Sequence, residues 1–458
     1  MRGNNALTNR PYLPFTRRKE LKAPYICRLA PYDDSFEIEW LDKECAKAHT
    51  LFIREKGSEN EYKAIALDSC RARIEGLFKD TDYEIFVESE IGERSNLRFV
   101  RTGAVPSGCT VINYLHPDDT QYDFSGRYLC SPSLARARSG RLIAGMDLYG
   151  NRMAQNLTLL FASDDDGKSW RYLCDLYPFY WGSLFYHNDV LYILGLSTEY
   201  GNLQIACSVD EGESWSAPVT LFYGSSVLCR YGGMHRAPMH MTEYKGRLYT
   251  TCEYGSWASG SHIPAILSID KNDDPMIPEN WTCSDFLPYD GEWKAAEEKQ
   301  GDTMEGNITE APSGELYSIM RWKVGSFLKL KVDTQNIDNA PTFVCIKEAP
   351  VSNSMFRIIK RGDKYILITN RRTEESAKYE NISYRNVLSV FESTDLESFT
   401  FIKDIVNRET EHPKRTGFQY PTFINEKDSI SLVIRSAFNN SDDFHNSNYM
   451  LFYRLDID

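Results

Sequence analysis

The 458-residue chain has no run approaching eighteen consecutive apolar residues, which excludes a membrane-spanning helix. Its first stretch, Met1 to Lys22, is polar and basic without an apolar core, so no secretory signal is read there and the cytoplasm is the expected location. The eleven cysteines contain no C-x-x-C pair and are odd in number, which fits neither a zinc site nor a disulfide framework; buried, reduced thiols are expected. A basic excess is missing as well. With 52 Lys and Arg against 65 Asp and Glu the net charge is −13, which disfavours nucleic acid as a partner because phosphate neutralisation needs a basic surface. Long helical periodicity is also absent. The only helix-like stretch, Trp293 to Lys299, is long enough for a turn or two in a loop.

What remains is the pattern of an all-β protein. Aromatics make up 13 % of the chain. Short runs of Ile, Val, Leu, Tyr and Phe are broken at regular intervals by Gly, Asn, Asp or Ser, the punctuation of strands and turns. Residues 1–23 read as a polar lead-in. In the next eighty residues, strands are predicted at Ser35 to Trp40, His49 to Arg54, Tyr62 to Leu67, Arg71 to Leu77 and Asp82 to Val87. Val105-Pro106-Ser107-Gly108 reads as a linker.

From residue 109 onward a repeat takes over: apolar strand, tight polar turn, second strand, variable loop, third strand, polar hairpin. The turn tips fall near Gly140, Asp189, Gly246, Gly314, Gly362 and Lys427, giving six units over 109–458. Each is somewhat longer than the roughly 40–50 residues of a four-strand propeller blade. The last unit supplies only three strands, so the orphan segment Cys109 to Leu115 is expected to complete it and close the ring, leaving no open sheet edge. Two turns, Ser163 to Trp170 and Ser208 to Trp215, share the pattern S-x-D-x-G-x-S-W. In that pattern Asp binds the amides of its own turn, Gly takes the left-handed conformation, and Trp packs back between neighbouring units. Weaker copies follow at Ser268 to Trp281 and Ser393 to Phe399.

Aligning the units on their turn tips makes six strand starts equivalent: Leu129 to Pro132, Tyr180 to Ser183, His235 to Pro238, Met304 to Asn307, Ser352 to Met355 and Phe418 to Pro421. In a propeller such starts converge around the central channel. The predicted pocket contains the carboxylates Glu199, Glu253 and Glu305, the histidines His235 and His240, and the guanidiniums of Arg236, Arg321, Arg371 and Arg435. It also contains Trp181, Tyr254, Trp257, Gln419 and Tyr420. Carboxyl pairs supply the acid and the base or nucleophile of glycosidic cleavage, aromatics stack on sugar faces, and arginines fork onto a sugar carboxylate. The pattern points to a carbohydrate, and the cluster of arginines in an acidic protein points to an anionic one. Four further histidines (His187, His262, His412 and His445) are scattered and read as polar loop residues, so no metal and no cofactor are expected.

Residues 109–458, with their two S-x-D-x-G-x-S-W turns, resemble the sialidase superfamily, where this turn is the Asp-box. Segments such as Glu199-Tyr200-Gly201-Asn202, Glu305-Gly306-Asn307 and Gly417-Phe418-Gln419-Tyr420 resemble bacterial sialidase-like glycosidases. Residues 24–104 are similar to a fibronectin type III domain: Gly76 to Tyr83 resembles its tyrosine corner, and Trp40 falls where that family keeps a core tryptophan. The resemblance implies a six-bladed sialidase-like β-propeller behind a small β-sandwich, acting on glycans. True sialidases start the first inner strand with Arg-Ile-Pro; here Cys130-Ser131-Pro132 stands in that place, and Arg-x-Pro occurs instead at Arg236-Ala237-Pro238. Three activities stay open. An exo-acting glycoside hydrolase would use Glu305 with Glu253 or Glu199. A uronate-directed lyase would use His235 or Tyr254 as base beside Arg236 or Arg371. A glycan-binding propeller would have no chemistry.

Overall fold

The computed structural model describes residues 23–42, 48–225, 232–257, 261–287, 303–379 and 384–456. The lead-in and the helix-like stretch Trp293 to Lys299 lie outside the described residues. No helix among the described residues is long and apolar enough to cross a membrane.

Two antiparallel sheets open the chain. One joins Tyr25–Pro31, Phe36–Leu41 and Arg71–Ile74; the other joins Lys63–Leu67, His49–Glu55, Asp82–Ser89 and Arg98–Arg101. The first and last of these seven strands are additions to the sequence reading. Alternation along His49–Glu55 sends Leu51 and Ile53 inward and leaves Thr50, Phe52 and Arg54 half-exposed, the period-two signature of a one-sided sheet. Trp40, Phe36, Leu51, Ile85 and Val87 fill the interior between the sheets. The Phe78 amide donates to the Tyr83 hydroxyl at 2.9 Å, so the tyrosine ties the chain back five residues upstream.

The rest of the described chain forms six antiparallel meanders, sheets I (128–176), II (180–222), III (233–283), IV (304–348), V (357–407) and VI (417–456). Cys109–Tyr114 adds to the outer edge of sheet VI by pairing with Tyr449–Asp456. The turns after the first strands carry left-handed residues where expected: Gly140, Asp189, Gly246, Gly314 and Gly362 all have positive φ. The first strands touch in a cycle. Strand Tyr128–Arg136 packs on Tyr180–His187, and Met304–Glu310 on both Arg247–Ser256 and Arg357–Arg361. The cycle continues from Arg357–Arg361 to Gly417–Asn425 and from there back to Tyr128–Arg136. Sheets II and III meet through the bridge Tyr200 to Met234 and the Arg236 bond to the Leu194 carbonyl. The six first strands are therefore innermost.

The S-x-D-x-G-x-S-W turns lie between the third and fourth strands of sheets I and II. Asp165 accepts from the amide and the hydroxyl of Ser169, at 2.9 and 2.6 Å, and Asp210 does the same with Ser214. Gly167 has φ 84°, and a β-carbon there would run into the Phe452 ring, so two independent constraints require glycine. Trp170 and Trp215 are each 1 % exposed. Truncating a tryptophan buried to this degree to alanine costs about 3–5 kcal/mol. In the weaker copy Leu396 occupies the glycine position with φ 60°.

The N-terminal sheets are fastened to the ring along the added strand. Arg28, 2 % exposed, donates to the carbonyls of Ile112 (2.7 Å) and Val111 (3.0 Å), and the buried Arg98 pairs with Asp119. One apolar cluster runs without a break from Trp40 and Ile85 through Val111 and Tyr114 to Ile434 and Leu451. Within the segment 105–108, Pro106 is buried and its carbonyl accepts from the Cys109 thiol, while Ser107 and Gly108 are exposed.

Candidate functional site

Four of the six strand starts share one irregularity. The register slips between Cys130 and Ser133, Tyr180 and Ser183, Met304 and Asn307, and Gln419 and Thr422. Each slip is a β-bulge whose first residue is left-handed: Ser131 (φ 47°), Trp181 (52°), Glu305 (62°) and Tyr420 (58°). A bulge re-aims one side chain out of strand alternation at the expense of local strain, a device concentrated beside functional sites. A small or fixed-φ residue follows each one: Pro132, Gly182, Gly306 and Pro421.

These bulges surround a cavity of about 320 Å³ lined by Cys130, Ser131, Tyr149, Tyr180, Trp181, Glu199, Trp257, Arg321, Arg385, Tyr420, Arg435 and His445. In its wall the Tyr420 hydroxyl donates at 2.7 Å to Oε1 of Glu305, which is buried behind the lining side chains. Arg321 Nη1 donates to Glu305 Oε2 at 3.1 Å and lies 3.4 Å from the Tyr420 hydroxyl. The Arg435 guanidinium sits over the Tyr420 ring, 4.1 Å from its centroid. Gln419, fully buried, accepts from Arg385 and from Arg435, which sets the two guanidiniums side by side. Burial and the Glu305 charge raise the Tyr420 phenol above its ordinary range, so it is protonated at neutral pH. Burial pushes Arg385 down to about 9, with Arg321 and Arg435 adding repulsion. Three guanidiniums face one carboxylate, Glu199, among the lining side chains. An anion entering here relieves like-charge repulsion and finds charge-assisted donors.

Glu199 is held at another part of the wall. Its carboxylate accepts from Gln155 Nε2 (2.9 Å) and from the Trp257 indole N–H (2.8 Å). Burial raises its pKa even though both bonds favour the charged form. Trp257 is half exposed, and its backbone amide donates to the Tyr200 hydroxyl at 2.8 Å.

The remaining predicted residues take other places. Glu253 is fully buried and absent from the pocket wall: one oxygen accepts from the Glu305 amide at 3.0 Å, the other bonds His235 Nδ1 at 2.9 Å. Burial keeps both members of this pair uncharged, raising Glu253 and lowering His235. Glu253 thus holds the bulge that aims Glu305. Arg236 is 0 % exposed and spends its donors on the Leu194 and Met239 carbonyls and Thr250. His240 is half-buried and does not line the cavity. Arg371 turns outward to form two bonds with Asp404, at 2.8 and 2.7 Å. Tyr254 is 39 % exposed and does not line the cavity. His235, Tyr254, Arg236 and Arg371 are thus all absent from the cavity lining.

No family model matches the chain, and no curated protein matches it. Among solved structures, the Hadza microbial sialidase Hz136 aligns over 98 % of this chain and 97 % of its own, at 11 % identity and TM-score 0.52. That span takes in the N-terminal sheets. A Penicillium chrysogenum α-L-arabinanase, solved with arabinobiose, aligns over 76 % of this chain and 98 % of its own, at 14 % identity and TM-score 0.50. The fold these likenesses show is that of a β-propeller. At these identities the likeness extends to the fold alone.

Sequence reasoning missed Arg385, Gln155 and Tyr149, and it read His445 as a loop residue. Arg385 precedes the third strand of sheet V and His445 lies in the loop before the last strand of sheet VI, whereas the alignment covered only first strands and the ends of second strands. The signal available for Arg385 was its place one residue past Tyr384 in a loop rich in polar residues, which is weak.

Proposed function

We propose that the protein is an exo-acting glycoside hydrolase that removes a terminal acidic sugar from an oligosaccharide. Its body is a six-bladed propeller over residues 109–458, with sheets I to VI as blades and the two S-x-D-x-G-x-S-W turns as Asp-boxes. A fibronectin type III-like sandwich over 24–104 precedes it. The observation that carries the reading is the Tyr420–Glu305 bond at 2.7 Å inside a ring of three arginines.

In this reading the arginines receive the sugar carboxylate and fix the ring over Tyr420. Tyr420 is the nucleophile. As its oxygen bonds to the anomeric carbon, its proton passes to Glu305, and the glycosidic bond breaks with a proton from Glu199 to the leaving oxygen. Water then attacks the anomeric carbon. Glu199 takes a proton from that water, the tyrosyl bond breaks, and Glu305 returns the proton to the phenol. Two displacements retain the anomeric configuration. A neutral phenol suits an anionic sugar because a carboxylate nucleophile would be repelled by the substrate's own charge. Glu253, through the Glu305 amide, is a positioning residue.

The test is a panel of sialate- and uronate-terminated oligosaccharides, with reducing ends and ultraviolet absorbance followed together. New reducing ends without absorbance, lost in Tyr420→Phe, support the hydrolase. Absorbance rising with each cut would transfer the reading to a lyase.

A further inference from the structure

Two arginines are sealed inside the ring without a carboxylate. Arg236 is 0 % exposed and Arg357 is 3 % exposed. Each follows or begins an innermost strand, in sheets III and V. Neither forms an ion pair among the described residues; their hydrogen bonds go to carbonyls and one hydroxyl. They grip the same segment. Arg236 Nη2 donates to the Met239 carbonyl at 3.0 Å and Arg357 Nη1 to the Pro238 carbonyl at 3.3 Å. The Nε of each arginine, and Nδ1 of His240 on that segment, are buried with no hydrogen-bond partner.

A buried charge is normally paired, because the interior cannot replace the hydration it loses. Two guanidiniums around one loop aggravate this, since each repels the other. Cys252 and then Glu253 are the acidic groups that Arg236 feels; Cys283 and burial raise the Cys252 thiol well above its ordinary range, and both Glu253 oxygens are committed, to the Glu305 amide and to His235. Carbonyl dipoles satisfy some N–H groups and leave the net charge in place. The segment itself is central: the Met239 carbonyl also accepts from Ser183 of sheet II, and Ala237, Met239 and Met355 form a small apolar cluster against Tyr420. Sheets II, III, V and VI therefore meet there, next to the tyrosine of the pocket.

We infer that Arg236 and Arg357 bind a small monovalent anion of the chloride class in the core of the ring, beside the Pro238–His240 segment. A halide balances the paired guanidiniums, accepts from Nε–H groups at any angle because it is spherical, and needs little room. The site belongs to the folded state, so halide raises stability by mass action. It stands independently of any glycosidase activity.

The experiment is thermal unfolding of the purified protein at constant ionic strength, with chloride or bromide exchanged for gluconate from 1 to 300 mM. The melting temperature is expected to rise steadily with the logarithm of halide concentration. Arg357→Met, which replaces an unpaired buried charge by an apolar chain of similar length, is expected to fold and to show a flat response. Bromide-soaked crystals should give an anomalous peak near both guanidiniums. A halide response that survives in Arg357→Met, or crystals with no bromide there, would overturn the assignment; so would a wild-type melting temperature indifferent to halide.

Discussion

Tyr420 and Glu305 are 115 residues apart in the chain and share a hydrogen bond of 2.7 Å. Both stand at left-handed bulge positions, on the first strands of sheets VI and IV. The shared irregularity is what lets two strands separated around the ring by Arg357–Arg361 present a phenol and a carboxylate to each other.

Tyr420→Phe is expected to fold, to bind an acidic oligosaccharide close to normally, and to lose on the order of 10³-fold or more in kcat. Glu305→Gln should lose a similar factor, and the double variant little more, because the two act as a unit. Binding by calorimetry and single-turnover rates separate the two effects. Losses that multiply in the double variant would contradict a shared role.

The arginines make a separate claim. Each charge-assisted bond to a substrate carboxylate contributes about 1.5–3 kcal/mol, or roughly 10–150-fold in kcat/KM. Arg385→Met should lose that factor on the acid. Methyl-esterifying the substrate carboxylate should lose a comparable factor with the wild type, and the variant should lose little more on the ester. If ester and acid are cut equally by the wild type, no carboxylate is gripped.

Much of the fold was legible because turn chemistry is local. Gly140, Gly246, Gly314 and the two S-x-D-x-G-x-S-W turns announce themselves by residue type; the glycines mark the turns that lead into the second strands, and the other two the turns after the third strands of sheets I and II. Glu305 and Tyr420 were reached through those turns, by aligning the strand starts on the turn tips; the bulge each one occupies was not read from the Gly or Pro that follows it. Glu253, Arg236 and His240 were not, because innermost strands are buried on both faces and a polar residue there serves the interior as readily as the cavity. Glu253 answers the Glu305 amide, and Asn370 likewise donates to the Phe418 carbonyl of the next sheet at 2.6 Å. These contacts between sheets depend on a register that no single repeat encodes. Arg371 departs for another reason: it adjoins Asn370 at the end of a strand whose neighbour-but-one carries Asp404, and the bidentate pair turns it outward.

Glu199 should set the alkaline limb of the pH profile. A general acid works while protonated, so activity falls as pH rises through its pKa, which burial lifts above the ordinary glutamate range of about 4.3. The bonds from Gln155 and Trp257 favour the charged form and hold that pKa back. Trp257→Phe keeps an aromatic ring and removes the indole donor; its alkaline limb should therefore move to higher pH. The profile of kcat/KM for wild type and variant decides it, and an unmoved or falling limb would count against Glu199 as the acid.

Asp175 offers a prediction about stability alone. It is 1 % exposed, accepts from the Tyr172 hydroxyl at 2.7 Å, and burial pushes its pKa up to about 7. Unfolded, the group titrates near 3.9. Between those values the folded state holds a proton that the unfolded state has released, so stability falls as pH rises from about 4 to about 7. Three units correspond to roughly 4 kcal/mol at most. Asp175→Asn cannot titrate and still accepts from Tyr172. It should match the wild type near pH 4, where Asp175 is protonated in the fold, and exceed it at pH 8. Asp147, also raised to about 7 by burial, keeps its own slope in the variant, so the curve flattens in part. Urea midpoints across that range read the difference directly: curves that diverge with rising pH support a neutral Asp175, and parallel curves mean it is already ionised in the fold.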